Sequence, residues 1–328
     1  MNNKPILIVL GEPSSIFSEL LFKVFKSKSF KKFKRPLLII GSERLLRAQM
    51  KALNYFINIK KIKFSKNTKL NNKYINIIDV NYNFKKAFDK ISYKSEKYIN
   101  DCFRIALELL KKKLAFSLIN GPISKTHFLK KKYLGITEYL SRKLNMKNDP
   151  TMLIYNPSFS VCPITTHVPL SRVSRILSKK KIVSDVVNIN NFYKKNIKMK
   201  PKIAILGLNP HCESVQKISE EDKIIRPAIK DLLKRKVNIK GPFSADTFFS
   251  KKNLINFDVA IGMYHDQVLT PMKTIFNFDA INLTLGLPFI RVSPDHGTNN
   301  KMIGKNKSNA SSLIYSINFF KKLYDNKT

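Results

Sequence analysis

At 328 residues, 43% of them hydrophobic, the chain can bury a large core, and about 150 residues per domain suggests two lobes. Its uninterrupted apolar stretches fall far short of the roughly 20 residues that span a bilayer, and its three cysteines, odd in number and without CxxC spacing, argue against a disulfide framework. The net charge of +39 raises the question of a nucleic-acid partner, but the basic residues are scattered and no helix-turn-helix or RNP-like motif occurs. We therefore expect a cytoplasmic globular protein with no membrane partner and no specific nucleic-acid partner.

Strand-like and helical segments alternate from the N-terminus onwards. Apolar runs predict strands at 5–10 and 36–40, and apolar periodicity predicts helices at 16–25, 44–53 and 96–112. The second half repeats the alternation, with strand-like runs such as PKIAILGL and FDVAIGM. This order predicts an α/β protein, namely a two-lobed α/β/α fold with mostly parallel sheets and a cleft between the lobes.

A polar turn follows the strand-like run LAFSLIN. The segment GPISKTHF places Ser124, Lys125 and Thr126 between this strand and a helical stretch, where backbone amides and a lysine can hold an anion. Neither GxxxxGK followed by Ser or Thr nor GxGxxG occurs in the chain. The turn therefore predicts anion binding without a Walker A loop or a Rossmann fingerprint.

Three of the five histidines stand just beyond probable buried strands. They are His167, His211 and His265, separated by 44 residues (211−167) and 54 residues (265−211). Such spacings are too long for a zinc finger but natural for ligands delivered by separate strands, and three imidazoles with an open position describe a catalytic metal site. Each histidine alone is more readily an ordinary hydrogen-bonded one, whereas the three together favour a divalent metal.

Charged residues flank the apolar runs of the second half. Lys273 and Arg291 supply the positive charge that a phosphate or carboxylate requires, with a solvated lysine and a strand-end ion pair as the alternatives. Asn282 is a binding candidate that could instead satisfy backbone groups of its strand. Asp246 and Asp266 join Lys273 as catalytic candidates, for handling protons or orienting a metal ligand, and a helix-cap or turn role is equally open for them.

A series of motifs connects this chain with one family. In order, they are NGPISK, GITEYLS, ITTHVPL, LGLNPH, SEED followed by RPAI, GPFSADTFF, MYHDQ, INLTLGLPFIRVSPDHGT and GKNKSN. They span nearly the entire chain and resemble the 4-hydroxythreonine-4-phosphate dehydrogenases of pyridoxal phosphate biosynthesis. That family shares the fold of isocitrate and isopropylmalate dehydrogenases.

The resemblance implies a metal and a substrate site. It makes His167, His211 and His265 the ligands of a divalent metal, with zinc first and magnesium or cobalt as alternatives. The positions that match the family's substrate contacts are Thr137, Lys273, Asn282 and Arg291. The substrate is therefore expected to be a phosphorylated small molecule.

The resemblance also implies a cofactor and a partner. The HGTNN and GKN segments match the loop on the adenosine side of NAD or NADP, and the cofactor-binding candidates are His296, Gly297, Thr298, Gly304 and Asn306. The family is homodimeric, with metal ligands shared across the interface. We expect a cofactor-side lobe of residues 1–126 plus 270–328 and a metal- and dimer-side lobe of residues 127–269.

The implied reaction is NAD(P)-dependent oxidation of 4-phosphohydroxy-L-threonine at a metal that lowers the pKa of the substrate hydroxyl. The product, 2-amino-3-oxo-4-phosphooxybutanoate, would lose carbon dioxide to give 3-amino-2-oxopropyl phosphate in pyridoxine 5'-phosphate biosynthesis. Ile136 stands where the family carries a substrate-contacting histidine. The first alternative is therefore a sister dehydrogenase of threonate or erythronate phosphate, ahead of a metal-dependent lyase or hydrolase without nicotinamide and of a nucleic-acid-binding protein.

Overall fold

The computed structural model describes residues 4–130, 132–133, 135–146, 149–212, 218–277, 280–294 and 297–325. The strands in this part of the chain are β1 (Ile6–Val9), β2 (Leu37–Gly41), β3 (Ile59–Lys61), β4 (Ile75–Asp79), β5 (Ser117–Asn120), β6 (Thr151–Tyr155), β7 (Ser160–Thr165), β8 (Ile203–Leu206), β9 (Ile239–Phe243), β10 (Val259–Tyr264), β11 (Ile281–Leu285) and β12 (Ile290–Pro294). The α-helices are α1 (Phe17–Lys26), α2 (Lys28–Lys31), α3 (Glu43–Ala52), α4 (Glu96–Lys111), α5 (Ile136–Lys143), α6 (Val173–Ile176), α7 (Lys179–Phe192), α8 (Arg226–Lys234), α9 (Ala245–Phe248), α10 (Lys251–Asn256), α11 (His265–Phe276) and α12 (Ser311–Asp325).

Two compact units divide the chain. Unit 1 consists of Met1–Met146 and Leu287–Asp325, and unit 2 of Lys147–Gly286 and Asn326–Thr328. Both divisions fall later along the chain than the predicted lobe boundaries, which followed residues 126 and 269. The difference concerns α5, which belongs to unit 1, and the second half of α11 together with β11, which belong to unit 2.

Packing explains where these two helices belong. In α5, the ring of Tyr139 lies 5.6 Å from that of Phe103 and 5.1 Å from that of Phe128, measured between centroids. The helix is therefore part of the unit 1 core. In α11, Val268 and Met272 are buried in the apolar cluster of unit 2. A boundary after residue 126 would separate Tyr139 from Phe103, and a boundary after residue 269 would divide α11 between Val268 and Met272.

The sheet of unit 1 is entirely parallel among its described strands. Their order is β3, β4, β2, β1, β5 and β12, and each neighbouring pair is parallel. Every residue of β1, β2 and β5 is buried, which is typical of a parallel sheet with both faces covered. On one face, α4 buries Ile99 and Phe103 against Leu7 and Leu38 of the sheet.

Strand β1 lies in the middle of this sheet and pairs with β2 on one side and with β5 on the other. The loops that follow β1 and β5 are in close contact, since the Glu12 amide donates to the Pro122 carbonyl at 2.9 Å. Gly11 has φ +73°, and a Cβ there would lie 2.5 Å from the Pro122 oxygen. Only glycine fits, and the contact marks the switch point where open α/β sheets bind ligands.

Unit 2 contains a mixed sheet. The order of its described strands is β11, β6, β7, β10, β8 and β9. The pairs β11–β6 and β6–β7 are antiparallel, while β7–β10, β10–β8 and β8–β9 are parallel. The parallel part matters for the site, because the carboxyl ends of β7, β10 and β8 lie at one edge of the sheet.

The structure confirms the predicted α/β class with mostly parallel sheets. It also confirms the five elements predicted in the first 112 residues, each within one residue at both ends. In α4, for example, Ile99, Phe103, Leu107 and Leu110 are all buried as their spacing predicts. No helix in the described part of the chain has the length and apolar character needed to cross a membrane.

Candidate active site

His167 and His265 lie together at the carboxyl edge of the unit 2 sheet. Strands β7 and β10 are parallel and in register, with Thr165 opposite Tyr264, so both histidines follow the same edge. The Thr165 hydroxyl donates to the Met263 carbonyl at 2.7 Å and fixes the two strand ends to each other. The two imidazole centroids are 6.1 Å apart.

This pair lies close to the separation that a shared metal ion requires. At a metal–nitrogen distance of about 2.1 Å, two imidazoles on one tetrahedral metal have ring centroids roughly 5 Å apart, about 1 Å less than the 6.1 Å here. The pair also lines a cavity of about 270 Å³ together with Asp266 and the apolar side chains of Val168 and Val173. Two of the three predicted ligands are therefore brought together beside an accessible cavity.

Asp266 contacts the ring of His265. Its Oδ1 lies 2.6 Å from Nδ1 of His265. A carboxylate accepts the Nδ1–H of the ring in such a contact, which leaves Nε2 as the ring nitrogen for a metal. The geometry thus favours the orienting role among those predicted for Asp266.

His211 is presented by a separate turn after β8. Its backbone is left-handed, with φ 58°. The preceding residues are held by the buried Glu221 carboxylate, which accepts from the Leu208 amide at 2.6 Å and from the Asn209 amide at 2.8 Å. Burial alone would raise the pKa of Glu221, but the hydrogen bonds from Asn209 and Leu208 outweigh it and hold the pKa below its ordinary value.

Gln267 connects the strand end of His211 with that of His265. Its Oε1 accepts from the Met263 amide at 2.6 Å, and its Nε2 donates to the Gly207 carbonyl at 2.7 Å. One side chain therefore joins the end of β10 to the residue that follows β8. Glu221 and Gln267 were not predicted, although both lie in quoted motifs, SEED and MYHDQ.

The three histidines do not form a complete ligand set within one chain. Among the residues that the structure describes, no three His, Cys, Asp or Glu side chains gather around a common point. His211 is instead close enough to Asp246 to act on its electrostatics. The pKa of Asp246 is lowered first by the hydrogen bond from the Ser244 hydroxyl, at 2.6 Å, and in smaller part by His211.

Lys273 and Asn282 also belong to unit 2. Lys273 is exposed near the end of α11, the helix that begins with His265. Asn282 lies in β11, and its Oδ1 is buried without a hydrogen-bond partner among the described residues. A buried acceptor of this kind normally has a partner, so a ligand donor is the natural candidate.

The remaining substrate candidates, Arg291 and Thr137, are adjacent in unit 1. Arg291 is 1% exposed, donates from Nε to Asn120 Oδ1 at 2.7 Å, and donates from Nη1 to Thr137 Oγ1 at 3.4 Å. Burial lowers the pKa of Arg291 to about 9, opposed by the charge of Glu138, so the guanidinium stays protonated at neutral pH. Asn120 was not predicted, although it begins the quoted motif NGPISK and is a polar residue that ends a buried strand.

Ile136 cannot form the hydrogen bonds or carry the charge of the histidine expected at its position. Its side chain is half-buried and packs against the apolar cluster of unit 1 that includes Phe103 and Phe128. The substitution therefore extends the core at the first turn of α5. Thr137, the next residue, keeps its contact with Arg291.

The predicted cofactor loop is attached to α1. The Lys23 ammonium donates to the Asn306 carbonyl at 3.1 Å and to the Ser308 carbonyl at 2.7 Å, and the Ser308 amide donates to buried Glu19 at 2.6 Å. Lys23 and Glu19 form an ion pair at 2.8 Å. The Tyr55 hydroxyl adds a hydrogen bond to the Asn306 side chain at 2.9 Å.

The other cofactor candidates are distributed around this loop. Gly304 has φ +72°, and a Cβ there would lie 3.1 Å from the ring of Phe88. The Thr298 carbonyl accepts from the Ile16 amide at 3.3 Å, next to Gly297. His296 lies outside the described residues.

Comparison with known proteins identifies the family. A family model described as "Pyridoxal phosphate biosynthetic protein PdxA" matches residues 32–320. The 4-hydroxythreonine-4-phosphate dehydrogenase of a Sulfurihydrogenibium species is 38% identical over 317 residues, which cover 95% of this chain and 96% of the relative. The D-threonate 4-phosphate dehydrogenase of Salmonella typhimurium is 29% identical over 323 residues, which cover 97% of this chain and 98% of the relative.

Solved structures agree with this result. The 4-hydroxythreonine-4-phosphate dehydrogenase of Klebsiella pneumoniae has a TM-score of 0.85 at 25% identity, covering 98% of this chain and 99% of that one. A β-decarboxylating dehydrogenase of Thermococcus kodakarensis shares the fold alone, with a TM-score of 0.53 at 9% identity over 98% of this chain and 83% of that one. The family inferred from the motifs is confirmed, and the chain belongs to the pyridoxal phosphate biosynthetic protein PdxA family.

Proposed function

We propose that this chain oxidises 4-phosphohydroxy-L-threonine with NAD or NADP and a divalent metal. Its dehydrogenase class follows from family membership. The observation that carries the metal and substrate parts of the proposal is the His167–His265 pair beside its cavity. The buried Arg291, and the Asn282 oxygen that has no hydrogen-bond partner among the described residues, support an anionic, hydrogen-bonding substrate.

The metal would be held by His167, His265 and His211. Three imidazoles suit zinc or cobalt better than magnesium, which prefers oxygen ligands, so zinc is our first candidate. Bound there, a divalent ion supplies Lewis acidity that lowers the pKa of a nearby hydroxyl. Because His211 is not grouped with the other two in one chain, we propose that the complete site forms in a homodimer.

The side chains of this chain then have separate tasks. Arg291 binds a phosphate or carboxylate oxygen, because its charge is buried and oriented by Asn120 and Thr137. The Asn282 oxygen accepts a hydrogen bond from a substrate hydroxyl or amino group. We assign proton transfer to Lys273, and the orientation of the histidines to Asp266 and Asp246.

The reaction balances without a further reactant. The substrate C–H bond gives a hydride to the nicotinamide ring, and the hydroxyl proton passes to the protein. The resulting β-keto acid loses its carboxylate as carbon dioxide, and the electron pair of the broken C–C bond takes a proton at carbon to give 3-amino-2-oxopropyl phosphate. The cofactor loop tied to α1 would carry the adenosine side of NAD or NADP.

A second candidate substrate is D-threonate 4-phosphate. The 29% identical Salmonella typhimurium relative is named for this substrate, and Ile136 packs into the core instead of offering a polar group. The two substrates differ at one position, where the threonine derivative has an amino group. Discrimination therefore depends on whether the site contains an acceptor for that group.

Parallel kinetics with the two substrates test the proposal. We expect kcat/KM for 4-phosphohydroxy-L-threonine to exceed that for D-threonate 4-phosphate, and the variant Asn282→Leu to reduce this preference. A preference for D-threonate 4-phosphate would assign the second function. If metal-loaded enzyme turns over neither substrate, both dehydrogenase functions are rejected and a metal-dependent lyase or hydrolase is favoured.

A further inference from the structure

A second large cavity lies in unit 1, away from every residue assigned to the active site. Its volume is about 860 Å³, within the range of small-molecule sites. Lys4 and Pro5, just before β1, and Leu114, shortly before β5, form part of its wall. The cavity therefore opens at the amino ends of these strands, whereas the switch-point loops follow their carboxyl ends.

The wall of this cavity is strongly basic. Five of its eleven lining residues are lysines and none is acidic. Lysine and arginine together make up 61 of the 328 residues and are mostly exposed, so the basic wall matches the basic surface of the chain, and what distinguishes it is its concave shape. The lysines are Lys4, Lys66, Lys69, Lys112 and Lys113, and none of them forms an ion pair with a carboxylate of the described residues.

Unpaired ammonium groups in a concave wall repel one another and concentrate a positive field in the cavity. The carbonyl end of α4, just before Lys112, offsets about half a charge. Most of the positive charge is therefore left for a ligand. A compact anion with several charges would contact more of these groups than a monovalent ion would.

The frame of the cavity is ordered. The Ser65 amide donates to the Thr68 hydroxyl at 2.9 Å, which fixes the short turn that carries Lys66. Phe64 and Leu70 are half-buried and pack against the apolar cluster of unit 1, so they form a stable apolar floor. A ligand therefore meets a wall whose backbone is already in place, which lowers the entropic cost of binding.

We propose that this lysine pocket binds a small anion that carries two or more phosphate groups. Phosphate groups match the lysines, since the ammonium group is an effective point charge for phosphate. The apolar floor accommodates an organic group attached to the phosphates. This site is additional to the proposed dehydrogenase site and uses none of its residues.

Calorimetric titration with tripolyphosphate at physiological salt tests the proposal. The pocket variant replaces Lys66, Lys69, Lys112 and Lys113 by glutamine. The control variant makes the same replacement at exposed lysines of unit 2, namely Lys194, Lys195, Lys198 and Lys200. Both variants lower the net charge from +39 to +35 (39−4), so a general charge effect weakens them equally.

We expect the pocket variant to bind tripolyphosphate at least about tenfold more weakly than the wild type, and the control to change less than about twofold. Equal weakening in the two variants, or no binding by the wild type, would overturn the proposal. The double variant Lys112→Gln/Lys113→Gln gives the same test if the fourfold variant unfolds. Because the titration requires no turnover, its result is independent of the proposed dehydrogenase activity.

Discussion

Gln267 illustrates, at the scale of single residues, how the site is organised behind its proposed metal ligands. It hydrogen-bonds to Met263 at the end of β10 and to Gly207 after β8. These backbone positions precede His265 and His211. Residues that orient metal ligands typically change metal affinity by about 10- to 100-fold when they are replaced.

We therefore predict that Gln267→Leu weakens zinc binding by about tenfold or more, because both strand ends lose their connection. The matched control is Gln49→Leu in unit 1, since Gln49 is buried and its side-chain amide likewise bonds to two backbone segments, donating to the carbonyls of Pro13 and Ala87. Competition with a chelator measures the affinity. Equal zinc affinity in the two variants would show that Gln267 has only a structural role.

Glu12 adds a pH-dependent contribution to stability. It is 2% exposed, and burial raises its pKa to about 7, opposed by the hydrogen bonds from Ser95 and the Ser14 backbone. The charge of Glu12 in turn contributes to the raised pKa of Tyr82, which is mainly due to burial. The folded protein therefore keeps a proton that the unfolded chain releases near its ordinary pKa of 4.5.

The sign of the effect follows from this order of pKa values. Between pH 4.5 and about 7, the free energy of unfolding falls as pH rises, and above pH 7 the loss is complete. We predict that Glu12→Gln is close to the wild type at low pH and more stable above pH 7, by up to about 3 kcal/mol. Thermal unfolding across this pH range measures the difference. The exposed control Glu108→Gln should show no such trend, and a constant offset for Glu12→Gln would refute the assignment.

At the scale of elements, hydrogen bonds connect α1 with the loop from Gly304 to Ser308. Lys23 contacts Glu19, Asn306 and Ser308, and it is 25% exposed, so it is partly shielded from water. Removing the ammonium group leaves the buried Glu19 charge without its cation and the loop without two hydrogen bonds. The loop is the proposed carrier of the cofactor's adenosine side.

We predict that Lys23→Met raises the KM for NAD or NADP at least about fivefold and leaves the KM for the phosphorylated substrate unchanged, given the typical 1.5–3 kcal/mol of a hydrogen bond to a charged group. Lys26→Met is the control, because Lys26 is exposed at the end of the same helix. An equal rise in both KM values would indicate general destabilisation. No rise for either cofactor would separate this loop from cofactor binding.

The sequence predicted elements better than the contacts between them. Apolar periodicity located β1, α1 and α4 within one residue, because burial on one face is a local property of the chain. It did not predict the lobe boundaries, because the apolar faces of α5 and α11 do not specify the sheet on which each helix packs. The unit division had to come from contacts such as that of Tyr139 with Phe103.

The same limit applies to the site. The positions of His167 and His265 after buried strands were predictable from sequence. That the two strands are neighbours, which leaves the ring centroids 6.1 Å apart, was not. Partners such as Gln267 with Gly207, or Arg291 with Asn120, are 60 and 171 residues apart in sequence. Their pairing depends on the register of parallel strands, which no local pattern specifies.

At the scale of the whole molecule, the incomplete ligand set within one chain predicts a composite site. The variants His211→Ala and His265→Ala should each be inactive. If the two ligands of one site come from different chains, mixed dimers contain one intact site, and random mixing should restore about a quarter of wild-type activity. Refolding equal amounts of the two variants together and measuring turnover tests this expectation. Absence of recovery in a confirmed mixed dimer would place both ligands in one chain.

The most direct test of the central claim follows NADH or NADPH formation from 4-phosphohydroxy-L-threonine. Metal-free protein is compared with protein resupplied with zinc, cobalt or magnesium. We predict negligible turnover without metal and full activity with zinc or cobalt, lost in His167→Ala. Turnover that is unaffected by removal of the metal, or no NADH or NADPH formation by a dimeric, metal-loaded sample, would contradict the account.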